Sequence, residues 1–191
     1  MTDTVHRMIG PTIVLYSGRY FDFDDPEGSL FDIGDIARGL SHICRFGGQC
    51  PRFYSVAEHS VYVSLIVPTE HALPALLHDA AEAFVGDMPK PLKVMCPDYQ
   101  AIEKRVERAV LDRFGVSLPL DPSIKEADIR MLRTEQAQLF RNADVWTETH
   151  GRTVVEGLKI VGLTPADAFN LFIDRFEVLT GQSVDIARLA I

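Results

Sequence analysis

The run Leu77-His78-Asp79-Ala80-Ala81-Glu82 is the most informative stretch of this chain. It continues the apolar segment Ala72-Leu73-Pro74-Ala75-Leu76, whose composition is typical of a buried helix. An imidazole and a carboxylate at the end of such a segment are costly to bury unless they share a partner. A divalent metal ion would be such a partner, and this pair of ligands suits Zn, Mn, Fe or Co better than Ca.

On a helix, Glu82 would share a side with His78, four residues before it, and with Asp79, three residues before it. His78 and Asp79 are neighbours about 100° apart around the axis, so both could touch one ion only at the helix rim or near its end. His59 lies upstream, in the first turn of another predicted helix, and Asp128 lies downstream in a third. Taken singly, each residue fits an ordinary role, such as a hydrogen-bonded core histidine, a surface aspartate or an ion pair at a helix end. On these residues alone, both the ordinary roles and a metal site remain open.

Composition limits the class of protein. The 191 residues are 47% hydrophobic and 24% charged, which predicts one soluble globular domain over residues 1–191. No apolar run is long enough to span a bilayer, and Met1–Arg7 lacks the features of a signal peptide. The three cysteines show no CxxC spacing, which is typical of reduced thiols, so we expect a cytoplasmic protein.

The net charge of -8 argues against binding to polymeric nucleic acid, which requires many lysine and arginine contacts to phosphate. A small anionic substrate remains compatible, because a metal ion and a few local cations can reverse the field inside one pocket. No membrane partner is expected.

Periodicity and turn signals predict a mainly α protein with a small N-terminal β element. Residues 12–23 read as a hairpin around Ser17-Gly18. Ser55 and Glu58 form a capping-box pattern, in which the Glu58 side chain reaches back to the Ser55 amide. The last predicted helix starts at Thr164-Pro165, and we interpret its apolar face as core. Helices are expected over 32–43, 55–67, 70–84, from about 99 to just before Gly115, after Pro122 and after Thr164; the apolar face of the last comprises Phe169, Phe172, Ile173 and Phe176.

The order H…HD…D resembles the HD-domain metal-dependent phosphohydrolases. Four strings in the same order sharpen the resemblance to the nucleotidase branch, which includes bacterial 5'-deoxynucleotidases and phage dATP triphosphohydrolases. The resemblance covers about residues 30–140. The strings are Ser55-Val56-Ala57-Glu58-His59-Ser60, Leu77-His78-Asp79-Ala80-Ala81-Glu82, Gly86-Asp87-Met88-Pro89-Lys90-Pro91-Leu92-Lys93 and Lys125-Glu126-Ala127-Asp128.

The resemblance implies a compact HD-domain helical bundle and one divalent ion, with Co, Mn, Zn, Fe and Mg all open. Its ligands would be His59, His78, Asp79 and Asp128, which leave two positions of an octahedral ion for water and a phosphate oxygen. Glu82 would position or deprotonate the attacking water. Members of the family are commonly oligomeric, so a homo-oligomer is expected.

The resemblance also implies substrate contacts. In the nucleotidases an arginine and a bulky aromatic precede the first histidine ligand by some fifteen residues, and Arg45-Phe46 occupies this place. Arg45 would hold phosphate and Phe46 would pack on the sugar, although some members have the larger Trp there. Asp87 would contact the sugar or arrange the site. Lys90 and Lys93, in a loop stiffened by prolines, would bind distal phosphates.

The leading hypothesis is a metal-dependent hydrolase of deoxynucleotide phosphates, either a 5'-deoxynucleotidase or a dNTP triphosphohydrolase. One alternative is an HD phosphodiesterase acting on cyclic or dinucleotide substrates. It is disfavoured because no further histidine pair lies between Asp79 and Asp128. Another is a non-catalytic, metal-stabilised nucleotide-binding protein, which the presence of Glu82 disfavours. A second metal site at His42, Cys44 and Cys50 would lack a fourth ligand, so we interpret these residues as core or loop.

Overall fold

The computed structural model describes residues 10–141, 144 and 146–185, and this part of the chain is mainly helical. Residues 1–9, on which the prediction about a signal peptide rests, lie outside the described residues. In the described part, no helix combines the length and apolar character needed to cross a membrane. The helices are α1 (Ile33–His42), α2 (Val56–Ile66), α3 (Ala72–Leu76), α4 (Glu82–Val85), α5 (Lys90–Lys93), α6 (Pro97–Arg113), α7 (Pro122–Leu139) and α8 (Pro165–Thr180).

The predicted hairpin is confirmed. Strands β1 (Thr12–Val14) and β2 (Tyr20–Asp22) pair antiparallel, with Ile13 opposite Phe21. The turn between them uses Gly18 at a φ of 76°, a backbone conformation that glycine adopts without strain. Phe21 is fully buried and stacks on Phe84 of α4, with ring centroids 4.0 Å apart. The hairpin therefore packs against the helix that begins with Glu82.

Local capping explains where the longer helices start. The Asp32 side chain accepts from the amides of Gly34 and Asp35, which begins α1, and the Thr164 side chain accepts from Asp167 N at the start of α8. Helix α8 packs against α1 and α2. Its apolar face lies in the core as predicted: Phe172, Ile173 and Phe176 are buried and Phe169 is partly buried.

The capping-box prediction at α2 is only half right. The Ser55 side chain accepts from Glu58 N at 3.1 Å, as expected. The Glu58 carboxylate, however, accepts from the amides of Val161, Gly162 and Leu163 at 3.1, 3.0 and 2.8 Å. Three backbone donors bind this carboxylate, so the side chain ties the segment before α8 to α2.

The single helix predicted over 70–84 is wrong, because residues 77–81 separate α3 from α4. In this stretch the backbone hydrogen bonds join residues three apart instead of four: Ala80 N donates to Leu77 O and Glu82 N donates to Asp79 O. The His78 side chain contributes to the break, since its Nδ1 hydrogen-bonds Ala75 O, a carbonyl of the preceding turn. The tighter winding eclipses residues three apart, which places Asp79 and Glu82 on the same side.

The proline-containing stretch after Gly86 is not entirely loop. Lys90–Lys93 forms one helical turn, α5, because Pro91 stands in its first turn, where a missing amide costs no helical hydrogen bond. This short turn packs against α6.

Candidate metal centre

Three of the four predicted ligands meet at one point. His59 on α2, His78 in the turn after α3 and Asp128 on α7 each offer a ligand atom within 4.8 Å of the others. Asp79 joins them: its Oδ2 lies 3.2 Å from His78 Nε2 and 3.7 Å from His59 Nε2. Neighbouring ligands of a transition metal with bonds near 2.1 Å stand about 3 Å apart, so the cluster is close to binding geometry.

Both histidines present an unused nitrogen to this point. Among the described residues, Nε2 of His59 and Nε2 of His78 are buried and make no hydrogen bond. Their other ring nitrogens are engaged: Nδ1 of His59 lies 2.6 Å from Glu135 Oε1, and Nδ1 of His78 lies 2.8 Å from Ala75 O. A ligating histidine has this arrangement, with one nitrogen held by an acceptor and the other left for the ion. The donor set fits a divalent metal.

The histidines and carboxylates of the cluster shift one another's pKa values. Burial and the Arg45 charge lower the pKa of His59, but the carboxylates of Glu135 and Asp128 outweigh them and raise it to about 9. Burial raises the pKa of Asp79, yet the two histidines lower it below its ordinary range. The same holds for Asp128, whose pKa is lowered by His59 and His78 against the effect of burial. Opposite charges in the cluster therefore stabilise one another.

Glu82 lies beside the ligands at the start of α4 and is 7% exposed. Burial raises the pKa of its carboxyl well above the ordinary value, and the charges of Asp79 and Asp87 raise it further. Its Oε1 lies 3.8 Å from Lys93 Nζ, whereas its Oε2 makes no hydrogen bond within the described residues. The carboxylate thus keeps one buried oxygen without a partner among the described residues.

Arg45 is a buried cation beside the ligands, whereas the exposed Lys125 pairs with Asp128 at 2.6 Å. Nη1 of Arg45 lies 3.7 Å from Asp79 Oδ2, and its Nη2 lies 3.2 Å from Glu135 Oε2. The backbone is held as well, since Arg45 N donates to Tyr54 O at 2.9 Å. The buried guanidinium is therefore placed next to the ligands, as its predicted role requires.

Phe46 follows in the left-handed region, with φ at 59°, which is uncommon for a bulky residue. Two more aromatics support it: the ring of Phe140 is 5.0 Å away, edge to face, and that of Trp146 is 6.1 Å away. The structure thus places an aromatic cluster next to Arg45.

The structure places the remaining predicted substrate residues in different surroundings. Asp87 is within electrostatic reach of Arg45 and Asp79, and burial raises the pKa of its carboxyl. Lys93 donates to Glu103 at 2.7 Å while staying near Glu82. Lys90 forms an ion pair with Glu148 instead, and its side chain is exposed. The three predicted cations are therefore not gathered into one phosphate-binding group.

Glu135 and Tyr54 were missed by the sequence analysis. Both are fully buried, and Tyr54 donates to Glu135 Oε1 at 2.8 Å. One signal points to Glu135: it lies seven residues after Asp128, two turns along the same predicted helix, and therefore on the same face. No local pattern marks Tyr54, which reaches the site through the tertiary fold.

Comparison with known proteins supports a family assignment. The family model for 5'-deoxynucleotidase YfbR-like proteins matches residues 52–145, which include the four predicted ligands. The chain is 37% identical to the uncharacterized protein YfdR of Escherichia coli, over 88% of this chain and 95% of that protein. It is 34% identical to an uncharacterized protein of Rhodobacter capsulatus, over 86% of this chain and 93% of that one. The chain thus belongs to the YfbR-like 5'-deoxynucleotidase family of the HD-domain superfamily.

Proposed function

We propose that this protein is a metal-dependent 5'-deoxynucleotidase, which hydrolyses deoxynucleoside 5'-monophosphates to deoxynucleosides and inorganic phosphate. The observation that carries the proposal is the pair of unpartnered histidine nitrogens, Nε2 of His59 and Nε2 of His78, which face the carboxylates of Asp79 and Asp128. The family match supports the substrate class.

His59, His78, Asp79 and Asp128 would hold the divalent ion. Bound there, the ion would polarise the phosphoryl group and acidify a water molecule. Glu82 would take the proton of the attacking water on its free oxygen, Oε2. Burial and the charges of Asp79 and Asp87 raise the pKa of its carboxyl, which makes the carboxylate a stronger base.

The water oxygen would bond to phosphorus as the bond from phosphorus to the 5' oxygen breaks. The 5' oxygen would take up the proton that Glu82 removed from the water and leave as the deoxynucleoside, which returns Glu82 to its carboxylate form. Arg45 would hold phosphoryl oxygens with its planar guanidinium. Phe46 would pack on the sugar, Asp87 would contact or orient it, and Lys93 would hold Glu82 in place through its 3.8 Å contact.

A triphosphate substrate is the second candidate, and the positions of the cations disfavour it. A triphosphate chain calls for several cations along one groove, but Lys90 pairs with Glu148 and Lys93 with Glu103. This arrangement favours the monophosphate.

Chromatographic product analysis tests the proposal. Metal-stripped protein is reloaded with Mn, Co, Zn or Mg and given dAMP, AMP, dATP, ATP and dGTP. Phosphate released from dAMP, with little from AMP, is the expected result. Triphosphate released from dATP would establish the triphosphohydrolase instead. No turnover of any nucleotide with any metal would overturn the proposal and return the phosphodiesterase and the binding protein to consideration.

A further inference from the structure

Glu135 is a buried carboxylate that neither the ligand set nor the proposed reaction uses. It lies on α7 with no exposed surface and accepts from three side chains. Tyr54 Oη and His59 Nδ1 bind its Oε1 at 2.8 and 2.6 Å, and Arg45 Nη2 lies 3.2 Å from its Oε2. A buried charge is costly unless it is paired and hydrogen-bonded, and these three donors offset the cost of burying the Glu135 carboxylate.

Its first contact determines how His59 faces the cluster. A hydrogen bond from Nδ1–H to a carboxylate selects one tautomer of the imidazole and fixes the ring orientation. The lone pair of Nε2 then points away from Glu135, toward Asp128 Oδ1 at 3.4 Å and Asp79 Oδ2 at 3.7 Å. Glu135 thereby prepares His59 to bind an ion.

Its second contact holds the guanidinium of Arg45. With Nη2 engaged by Glu135, Nη1 remains 3.7 Å from Asp79 Oδ2 and faces the ligands. Arginine is a long side chain that loses considerable rotamer freedom when it is ordered. A partner that orders it in advance spares substrate binding this cost.

We propose that Glu135 is a positioning residue that fixes a metal ligand, His59, and the phosphate-binding Arg45 through opposite oxygens of one carboxylate. This inference rests on the proposed function. Removal of the carboxylate should weaken binding of the metal and of phosphate together, although Glu135 touches neither.

Glu135→Gln is the direct test. His59 and Arg45 contact opposite oxygens of Glu135, and a glutamine side chain has a donor nitrogen in place of one of them, so it cannot accept from both in this geometry. Tyr54→Phe is the matched control, because it removes a donor to the same carboxylate but leaves His59 and Arg45 in contact with it. Calorimetric titration with Mn²⁺, and then with inorganic phosphate on the metal-loaded protein, gives both affinities without turnover.

We expect Glu135→Gln to weaken Mn²⁺ binding by about 10- to 100-fold, as loss of a partner behind a metal ligand usually does. Phosphate affinity should fall with it, whereas Tyr54→Phe should change both affinities by less than about threefold, since Glu135 keeps its contacts with His59 and Arg45. Unchanged affinities in folded Glu135→Gln would overturn the inference and leave the proposed function intact. Failure of the unmodified protein to bind any divalent metal would overturn both.

Nitrogen NMR on the unmodified, zinc-loaded protein keeps the inference testable if Glu135→Gln does not fold. The expected spectrum shows His59 protonated on Nδ1 and without a proton on Nε2. The opposite tautomer would overturn the inference, because the contact with Glu135 requires a proton on Nδ1.

Discussion

Gly39 of α1 lies directly against Ala83 of α4, the residue that follows Glu82. A β-carbon at position 39 would stand 2.8 Å from Ala83 Cβ and 2.8 Å from the Ala83 carbonyl oxygen. Both distances are far shorter than a van der Waals contact, and the second atom belongs to the backbone. The glycine therefore allows α1 to approach the helix that carries the proposed general base.

Gly39→Ala should be destabilising although alanine is the better helix former. Overpacking costs about 1–3 kcal/mol, against a gain in helix propensity of about 1 kcal/mol. Displacement of α4 should also lower kcat for dAMP. Thermal unfolding and steady-state kinetics measure the two effects. Gly10→Ala is the control, because a β-carbon there meets no atom within 4 Å; equal stability of the two variants would contradict the prediction.

Glu82→Gln should reduce kcat/KM for dAMP by about 10²- to 10⁴-fold, the usual contribution of a general base. Metal content, measured by mass spectrometry of the purified protein, should stay at the level of the unmodified protein, because Glu82 is not among the proposed ligands. A variant that keeps its metal and most of its activity would exclude Glu82 as the base.

His78→Ala should abolish stabilisation by metal. An ion at 100 times its Kd raises the free energy of unfolding by about 2.7 kcal/mol, which a thermal melt with and without Mn²⁺ detects as a shift in Tm. The variant should show no such shift. His71→Ala is the control, since His71 lies outside the cluster, 3.6 Å from Asp121. An undiminished shift in His78→Ala would refute the ligand set.

Glu58→Gln should destabilise the fold by about 1.5–3 kcal/mol, because hydrogen bonds to a charged acceptor are stronger than those to an amide. The carboxylate binds the amides of residues 161–163 and the hydroxyl of Tyr62 at 2.9 Å. Urea unfolding measures the loss, with the exposed Glu70→Gln as the control. A loss no larger than in the control would show that the charge of Glu58 does not matter.

Cys50 should react slowly with alkylating reagents. Burial and the neighbouring Cys44 raise the pKa of its thiol from an ordinary value of 9.0 to about 11. Since the thiolate is the nucleophile, the rate of modification by iodoacetamide should rise about tenfold per pH unit between about pH 8 and 10. Mass spectrometry of the Cys50 peptide follows the reaction, and a rate that levels off before about pH 10 would contradict the raised pKa.

The raised pKa of the Cys50 thiol should also make the stability of the fold depend on pH. The folded protein holds the Cys50 proton more tightly than the unfolded chain, whose thiol titrates near 9. Between these pKa values the unfolded state binds fewer protons, so the free energy of unfolding should decrease as the pH rises from about 9 to about 11. Cys50→Ser should show a smaller decrease over this range.

The sequence by itself determined those features that depend on neighbouring residues. Asp32 and Thr164 begin their helices by accepting from amides two or three residues away, and Gly18 turns the hairpin. The four strings that contain His59, His78, Asp79 and Asp128 predicted the family by resemblance, and that resemblance implied the metal site.

Only the tertiary structure decided what depends on distant partners. His59 and Glu135 are 76 residues apart, and Glu58 and Val161 are 103 apart. The break at residues 77–81 and the pairing of Lys90 with Glu148 likewise were not evident from local pattern. A buried polar group takes whichever partner the packed helices bring within hydrogen-bond distance, and helical periodicity gives the face of a residue but not its neighbour across the core.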